Sequence, residues 1–162
     1  NHFFDNDVAG SMHGVKKGGL TPLGRKVVAA MEDKGMIVDI AHCSQQCVSD
    51  ILAMARRPVV SSHGGVQATC KVTRNLSDDQ IRGVARTGGL IGIGYWDGAI
   101  CDTDPRAAAR AMKHVRDLVG VQHVALAATM TEPPPFASIP ASWSRLPRRC
   151  WTRASHLTKS AP

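Results

Sequence analysis

The chain has 162 residues, of which 43% are hydrophobic and 20% are charged, a balance that predicts one folded globular unit. No apolar run approaches the ~20 residues that a membrane-spanning helix requires, so we expect no membrane span. The formal net charge of +7 is concentrated in residues 127–162, which hold five basic residues against one acidic, whereas residues 1–126 hold 15 against 12, so no nucleic-acid-binding face is expected.

Four helix–strand units are predicted in succession from Thr21 onwards. Each unit has an amphipathic helix with a polar N-cap, then a glycine or polar break, then a short apolar run typical of a buried strand. The predicted helices begin at Thr21-Pro22, at Ser44, at the capping box Ser77–Gln80 and at Asp104-Pro105. The predicted strands are Met36–Ala41, Pro58–Ser62, Leu90–Tyr95 and His123–Leu126.

This alternation predicts parallel βαβ units whose helices cover the sheet. The short apolar strands agree with burial on both faces. Four such units form either half of a barrel or a small open α/β sheet, and the periodicity leaves both open. No glycine-rich phosphate loop accompanies them, because the glycines at 88–92 precede a strand rather than a helix.

Two consecutive predicted strands are each followed by a histidine. His42 comes after Ile37–Ala41, and His63 comes after Val59–Ser62. In parallel α/β folds the functional residues lie at the carboxyl ends of the strands, so the two imidazoles are expected near each other. Because neutral imidazole is a common zinc ligand, the pattern indicates a metal site. The alternative, a hydrogen-bonded or solvated histidine at each strand end, stays open at this point.

Six sequence runs, taken in order, resemble a known family. They are His2–Asp7, Lys17–Gly24, Gly35–Ser44, Pro58–His63, Arg74–Asp79 and Gly89–Gly94. Their order and spacing resemble the membrane (renal) dipeptidase family over about residues 1–126. The resemblance implies α/β structure of a particular kind, namely the C-terminal portion of a (β/α)8 TIM barrel with about four βα units, since a complete barrel needs ~250 residues.

The resemblance also implies a function and four site residues. The family hydrolyses dipeptides at a binuclear zinc site in the mouth of its barrel, and His42 and His63 would be ligands of one zinc ion. Arg74 falls where the family has an arginine that binds the substrate's C-terminal carboxylate, with a surface arginine as the alternative. His2 matches a catalytic histidine that contacts the substrate near the scissile carbonyl, with a frayed terminus as the alternative.

Other residues carry less weight. The acidic run Asp5–Asp7 is expected to form a turn rather than a metal site. Tyr95 and Trp96 end a strand at the catalytic edge, where core packing is expected. Nothing marks Cys43 as a nucleophile, and solvated positions are expected for His13, His114 and His123.

The remaining zinc ligands of the family are absent from this sequence. A His-x-Asp pair and a bridging glutamate would lie upstream of Asn1. The chain begins without a methionine or a basic leader, so we expect that it was cut from a longer protein. A metal-binding aspartate is expected shortly after Leu126, where residues 127–132 read AATMTE instead.

A single lost nucleotide would explain that departure. Restoring one G after the Leu126 codon, in GC-rich codons, turns residues 127–133 into Gly-Gly-Asp-Tyr-Asp-Gly-Ala, the missing family motif. The same frame turns residues 149–160 into a second family-like stretch. We therefore hypothesise that residues 127–162 are an out-of-frame, poorly ordered tail. A changed reading frame would explain why this segment holds six of the nine prolines and none of the glycines. A genuine proline-rich basic tail is the competing interpretation.

The number and spacing of the cysteines indicate in which cellular compartment the protein is located. There are five, an odd number without paired zinc-ribbon spacing, which predicts neither a disulfide framework nor a structural zinc module. A cytoplasmic location is therefore expected.

Together with the resemblance to the family, these features predict a zinc-dependent metallodipeptidase with a dipeptide as its substrate. The sequence retains four residues of the family's site, namely His42, His63, Arg74 and His2. Because catalytic zinc usually has three protein ligands, we expect little or no activity from this chain. A noncatalytic remnant or interaction protein is the alternative. Half a barrel exposes strand edges that favour aggregation or pairing with another chain, for example in a homodimer.

Overall fold

Four parallel strands form a sheet in the computed structural model, which describes residue 2 and residues 4–127. They are β1 (Val38–Asp39), β2 (Val59–Gly64), β3 (Leu90–Ile93) and β4 (Val124–Leu126), and they lie in the order β1-β2-β3-β4. Each strand pairs in parallel with the next one along the chain. Doubly wound open sheets reverse their strand order at a switch point, whereas a barrel wall does not. The topology therefore favours half a barrel over an open sheet.

Helices connect the strands, and most of them begin at a side chain that caps the first turn. The helices are α1 (Pro22–Asp33), α2 (Gln45–Met54), α3 (Asp78–Arg86), α4 (Asp97–Ile100) and α5 (Pro105–Val119), and a 3-10 turn, Val121–His123, precedes β4. The predicted caps Thr21, Ser44, Ser77 and Asp104 each accept a hydrogen bond from a backbone N–H of the following turn. Across the described ranges, no helix is long and apolar enough to cross a membrane.

Branched aliphatic side chains hold the helices against the sheet. Ile91 and Ile93 of β3 and Val59 of β2 are almost completely buried. Ile81 of α3 and Val115 of α5 join them in one apolar cluster. The central strands are therefore covered, as their continuous apolar sequences predict.

Several strands are shorter than predicted. β1 keeps only two of residues 36–41, because Met36 and Ile37 are 52% and 66% exposed. β3 stops two residues early, at Ile93, and the chain then turns into α4, which the sequence pattern does not predict. β4 begins one residue late because His123 ends the 3-10 turn.

One disulfide joins Cys70, in the loop after β2, to Cys101, the residue that follows α4. The sequence predicts no disulfide framework, whereas this pair forms a single bond. A count of cysteines cannot reveal that the fold brings two residues 31 apart in sequence to a Cα–Cα distance of 5.4 Å. Cys43 and Cys47 are free and buried, and Cys150 lies outside the described residues.

The described part ends one residue into the predicted tail. Ala127 is buried, and its N–H donates to the carbonyl of Ile93 at 2.8 Å, so it continues the pairing of β4 with β3. Residues 128–162, on which the frameshift hypothesis depends, lie outside the described residues. The out-of-frame tail therefore stays a hypothesis.

Candidate functional site

The turn after β1 carries His42 and bends sharply at that residue. Its φ angle is 63°, in the left-handed region that residues other than glycine seldom adopt. The N–H of Met12 donates to the His42 carbonyl at 3.0 Å, and the N–H of Cys43 donates to the carbonyl of Ile40 at 3.1 Å. These bonds hold the strained residue in place at the carboxyl end of the sheet.

An irregularity in β2 sets the position of His63. The strand extends beyond its predicted end and includes this histidine. Opposite β3, Ser61 pairs with Ile91 and Gly64 pairs with Ile93, so β2 has one residue more than β3 over this stretch. A bulge of this kind reorients the side chains near a strand end and is common beside functional sites.

Asp39 ties the two histidine-bearing segments together. Its Oδ1 accepts hydrogen bonds from the N–H of Ala41 and the N–H of Ser62, both at 3.0 Å. Because these two residues directly precede His42 and His63, one carboxylate oxygen fixes the spacing of both segments. The hydroxyl of Ser62 also lies 2.9 Å from Nδ1 of His63, which fixes the rotation of that ring.

The two predicted metal ligands face each other. Nε2 of His42 lies 2.8 Å from Nε2 of His63, and the ring centroids are 4.8 Å apart. At this distance one ring nitrogen donates a hydrogen bond and the other accepts it, so the pair shares one proton. Two imidazole nitrogens directed at one point are also the donor type that zinc binds. We call these two residues the His42–His63 pair.

Burial and nearby cations keep both imidazoles neutral. Burial, followed by electrostatic interactions with Arg74 and His2, lowers the pKa of His42 to about 4. Burial and Arg74 also lower the pKa of His63, although Asp39 opposes them. Both rings are therefore neutral at pH 7, which is the form that binds a metal ion.

His2 and His13 flank this pair. The ring centroid of His2 is 4.2 Å from that of His42, and Nε2 of His13 is 3.4 Å from Nδ1 of His42. The hydroxyl of the buried Ser11 donates to the carbonyl of His2 at 2.8 Å and lies 3.4 Å from the carbonyl of His42. The prediction that His13 is merely solvated misses its contact with the site, because residues 4–20 have no periodicity that would place them against the sheet.

Arg74 lies beside the pair. Its Nη2 donates to the carbonyl of His63 at 3.4 Å, and its buried Nε has no hydrogen-bond partner. Burial lowers the pKa of Arg74, and no acidic side chain of the described residues opposes that effect. The guanidinium nevertheless stays charged at pH 7. A cation without a carboxylate partner, next to two imidazoles, is suited to bind an anionic group of a substrate.

Trp96 follows β3 and lies against the same guanidinium. The Cζ atom of Arg74 is 4.8 Å from the centroid of the indole, and the indole is 5.9 Å from the imidazole of His63. Both Tyr95 and Trp96 pack in part against the core, as predicted. The contact of Trp96 with two site residues agrees with its predicted position at the catalytic edge.

The acidic run near the N-terminus bonds to the backbone. Oδ1 of Asp5 accepts the N–H of Ser11 at 2.9 Å. Oδ1 of Asn6 accepts the N–H groups of Val8 and Ala9 at 2.9 and 3.0 Å. These contacts confirm the predicted turn, since the oxygens satisfy backbone donors of the following residues.

Two histidines outside the site form hydrogen bonds rather than pointing into solvent. Nε2 of His114 lies 2.7 Å from Oδ1 of Asp78 and links α5 to α3. Nδ1 of His123 donates to the carbonyl of Gly89 at 2.8 Å. Both are partly exposed, so the prediction that they are solvated misses only these bonds, whose partners lie 36 and 34 residues away in sequence.

Cys43 forms a close thiol pair with Cys47 of α2. Their Sγ atoms are 3.0 Å apart, and both residues are buried. The thiol of Cys47 donates to the sulfur of Cys43, which lowers the pKa of Cys43, whereas the same contact and burial raise the pKa of Cys47. Since Cys43 directly follows His42, the thiol pair connects the His42 turn to α2.

The His42–His63 pair fits zinc as two ligands of a larger set. Within residue 2 and residues 4–127, no group of three or more His, Cys, Asp or Glu side chains is arranged to hold a metal ion. Catalytic zinc usually has three protein ligands. The described residues therefore offer two imidazole nitrogens of the type that zinc binds, without a third metal-binding side chain beside them.

The sequence is similar to known dipeptidases over most of its length. Residues 1–138 match the family model described as membrane dipeptidase, peptidase family M19. The chain is 33% identical over 116 residues to the dipeptidase aclJ of Aspergillus oryzae, a match that covers 68% of this chain and 28% of that protein. It is 27% identical over 115 residues to an uncharacterized protein from the pqqA 5' region of Klebsiella pneumoniae, covering 67% of this chain and 42% of that protein.

Solved structures share the fold. A metallopeptidase from Rhodobacter sphaeroides, liganded with a phosphinate mimic of the dipeptide L-Ala-D-Ala, has a TM-score of 0.64 and 24% identity, covering 68% of this chain and 33% of its own. The probable dipeptidase PvdM from Pseudomonas aeruginosa has a TM-score of 0.73 and 20% identity, covering 79% of this chain and 49% of its own. The chain thus spans between 28% and 49% of the length of these relatives. The prediction of a partial TIM barrel is confirmed.

Proposed function

Because this chain belongs to the membrane dipeptidase family of metallopeptidases, we propose that the carboxyl edge of its sheet is part of a zinc site for dipeptide hydrolysis. The observation that carries the proposal is the His42–His63 pair, with its Nε2 atoms 2.8 Å apart, beside Arg74, whose buried Nε has no hydrogen-bond partner. The dipeptide mimic bound by the Rhodobacter sphaeroides metallopeptidase supports a dipeptide as the substrate class. Since the chain spans only 28% of the Aspergillus oryzae relative, the hydrolysis proposed is that of a longer protein.

Each side chain has a distinct task in this proposal. His42 and His63 would hold one zinc ion through their Nε2 atoms. Zinc in such sites polarises the scissile carbonyl and activates a water molecule. Arg74 binds the substrate's carboxylate through two parallel N–H···O bonds and so orients the peptide bond. His2 donates a hydrogen bond to the carbonyl oxygen and stabilises the negative charge that develops there.

We expect zinc binding by this chain to depend on His63. Replacing His63 with alanine removes one of two imidazole ligands, so the dissociation constant for Zn²⁺ should rise at least about tenfold. Competition with a fluorescent chelator measures that constant. The matched control is His114→Ala, since His114 pairs with Asp78 and should leave zinc affinity unchanged. Equal affinities of wild type and His63→Ala would show that His63 is not a ligand.

Activity of this chain by itself is a separate question. We propose that the isolated chain is impaired or inactive, because two imidazoles hold catalytic zinc poorly without further protein ligands. Arg74 and His2 bind and orient the substrate but supply no metal ligand in this scheme. In this proposal dipeptide hydrolysis is the activity of complete members of the family, and this chain contains only some of the residues of the active site.

An interaction protein is a second candidate, which the edges of the sheet support. Within the described residues, β1 and β4 each pair along one edge only. Ile37 beside β1 is 66% exposed and Leu126 at the end of β4 is 40% exposed. Pairing of two copies in a homodimer would cover such edges. Light scattering after size-exclusion chromatography tests this candidate, and a stable monomer at high concentration would contradict it.

The cytoplasmic location stays a prediction. The Cys70–Cys101 disulfide argues for an oxidising compartment instead, since disulfides are rare in reducing cytosol. Free-thiol labelling of the protein as it is isolated from cells distinguishes the two, because a cytosolic chain would have all of its thiols accessible after unfolding.

A further inference from the structure

Few contacts fix the guanidinium of Arg74. Its hydrogen bond to the carbonyl of His63 is long, at 3.4 Å, and therefore weak. Its Nε is buried without an acceptor. Among the described residues, Trp96 also contacts this group: its ring centroid is 4.8 Å from Cζ, a distance at which the positive charge is attracted to the face of the indole. The ring of Trp96 therefore restrains this side chain.

Trp96 itself sits on a rigid support. Its ring lies against Gly94, where any Cβ would clash with the six-membered part of the indole. Its carbonyl accepts the N–H groups of Ala99 at 2.9 Å and Ile100 at 3.2 Å, which form the first turn of α4. The disulfide at Cys101 anchors the end of that helix. An indole held in this way offers a fixed surface to the guanidinium.

We propose that Trp96 is a positioning residue for substrate binding, whose indole holds the guanidinium of Arg74 so that its N–H groups receive the carboxylate of a dipeptide. The inference rests on the proposed function and extends it to a residue that the family motifs quoted above do not include. A guanidinium that stacks on an aromatic ring does so through its face, whereas its N–H donors lie in the plane of the group. They consequently stay available for a bidentate carboxylate.

The test compares three variants of the whole chain by NMR of the arginine Nε–H groups. The probe is glycylglycine, and its C-terminal amide is the matched control ligand. We expect glycylglycine, but not the amide, to shift the Arg74 resonance. Trp96→Leu should weaken glycylglycine binding about fivefold, and Trp96→Phe should stay within about twofold of wild type. Arg74→Gln, in which the resonance is missing, assigns the signal to Arg74.

A second readout separates positioning from stability. The ring current of Trp96 should shift the Arg74 Nε–H resonance in the ligand-free chain, and the shift should disappear in Trp96→Leu and persist in reduced form in Trp96→Phe. Thermal unfolding of Trp96→Phe close to that of wild type ensures that the comparison is made on folded protein.

The outcomes distinguish the two proposals. If wild type and Trp96→Leu bind glycylglycine equally well, Trp96 does not position Arg74, and the proposed function is unaffected. If wild type gives no carboxylate-dependent response, both the role of Arg74 in the proposed function and the present inference are overturned. Zinc binding that depends on His63 would in that case still support the metal site alone.

Discussion

Dipeptide hydrolysis by the purified 162-residue chain is expected to stay at the rate of the buffer blank, with or without added Zn²⁺. The described residues offer the His42–His63 pair and no group of three or more metal-binding side chains. Enzymes accelerate their reactions by on the order of 10⁶-fold or more, so a site without its full ligand set should lose nearly all measurable turnover. Chromatographic detection of the free amino acids released from a dipeptide measures the rate.

Two controls make that result interpretable. A complete member of the family, assayed beside this chain, establishes that the substrate and zinc concentrations support turnover. The His63→Ala variant identifies contaminating peptidase, because a contaminant would act equally in both preparations. Hydrolysis that a chelator stops, and that His63→Ala removes, would overturn the expectation and show that this chain is itself a dipeptidase.

Replacing Asn75 with alanine is expected to lower the free energy of unfolding by about 3 kcal/mol. Asn75 is completely buried, and its Nδ2 donates to the carbonyls of Cys70 and Ala99, both at 2.8 Å. Alanine would leave the carbonyl of Ala99 buried without this donor and would open a cavity. Since these two bonds join the loop after β2 to α4, the neighbouring Arg74 should lose its fixed position as well. Chemical denaturation measures the change.

The matched control is Asn6→Ala. Asn6 also bonds through its side chain, at 2.9 Å to the N–H of Val8, but it is exposed, so water can replace the lost contact. We expect a loss below about 1 kcal/mol there. A loss at Asn75 no larger than at Asn6 would mean that the buried amide is not a structural link between the loop and α4.

The placement of His42 and His63 could be predicted from sequence for a simple physical reason. Alternating helices and short apolar strands require a parallel sheet, and in such a sheet the carboxyl ends of the strands meet at one edge. Their meeting at 2.8 Å also depends on features that no pattern encodes, namely the bulge in β2 and the carboxylate of Asp39. Arg74 was identified only through resemblance to the family.

Contacts between distant loops account for the predictions that failed. His13 reaches the site from a segment without helical or strand periodicity, so only tertiary structure reveals its neighbours. The disulfide of Cys70 depends in the same way on α4, a helix of four residues that is too short to give a periodic signal. Local sequence predicts helix caps and buried faces of helices and strands. It does not predict contacts between loops that are distant in sequence.

The two cysteine pairs require opposite redox conditions, because one pair is a disulfide and the other consists of free thiols. A dithiol reagent strong enough to keep Cys43 and Cys47 reduced will also attack the bond between Cys70 and Cys101 by thiol–disulfide exchange. Air oxidation has the reverse effect, since sulfurs 3.0 Å apart need to approach by only about 1 Å to form a second bond. That bond would crosslink the His42 turn to α2, so metal affinities from fresh and aged preparations describe two different covalent forms of the chain.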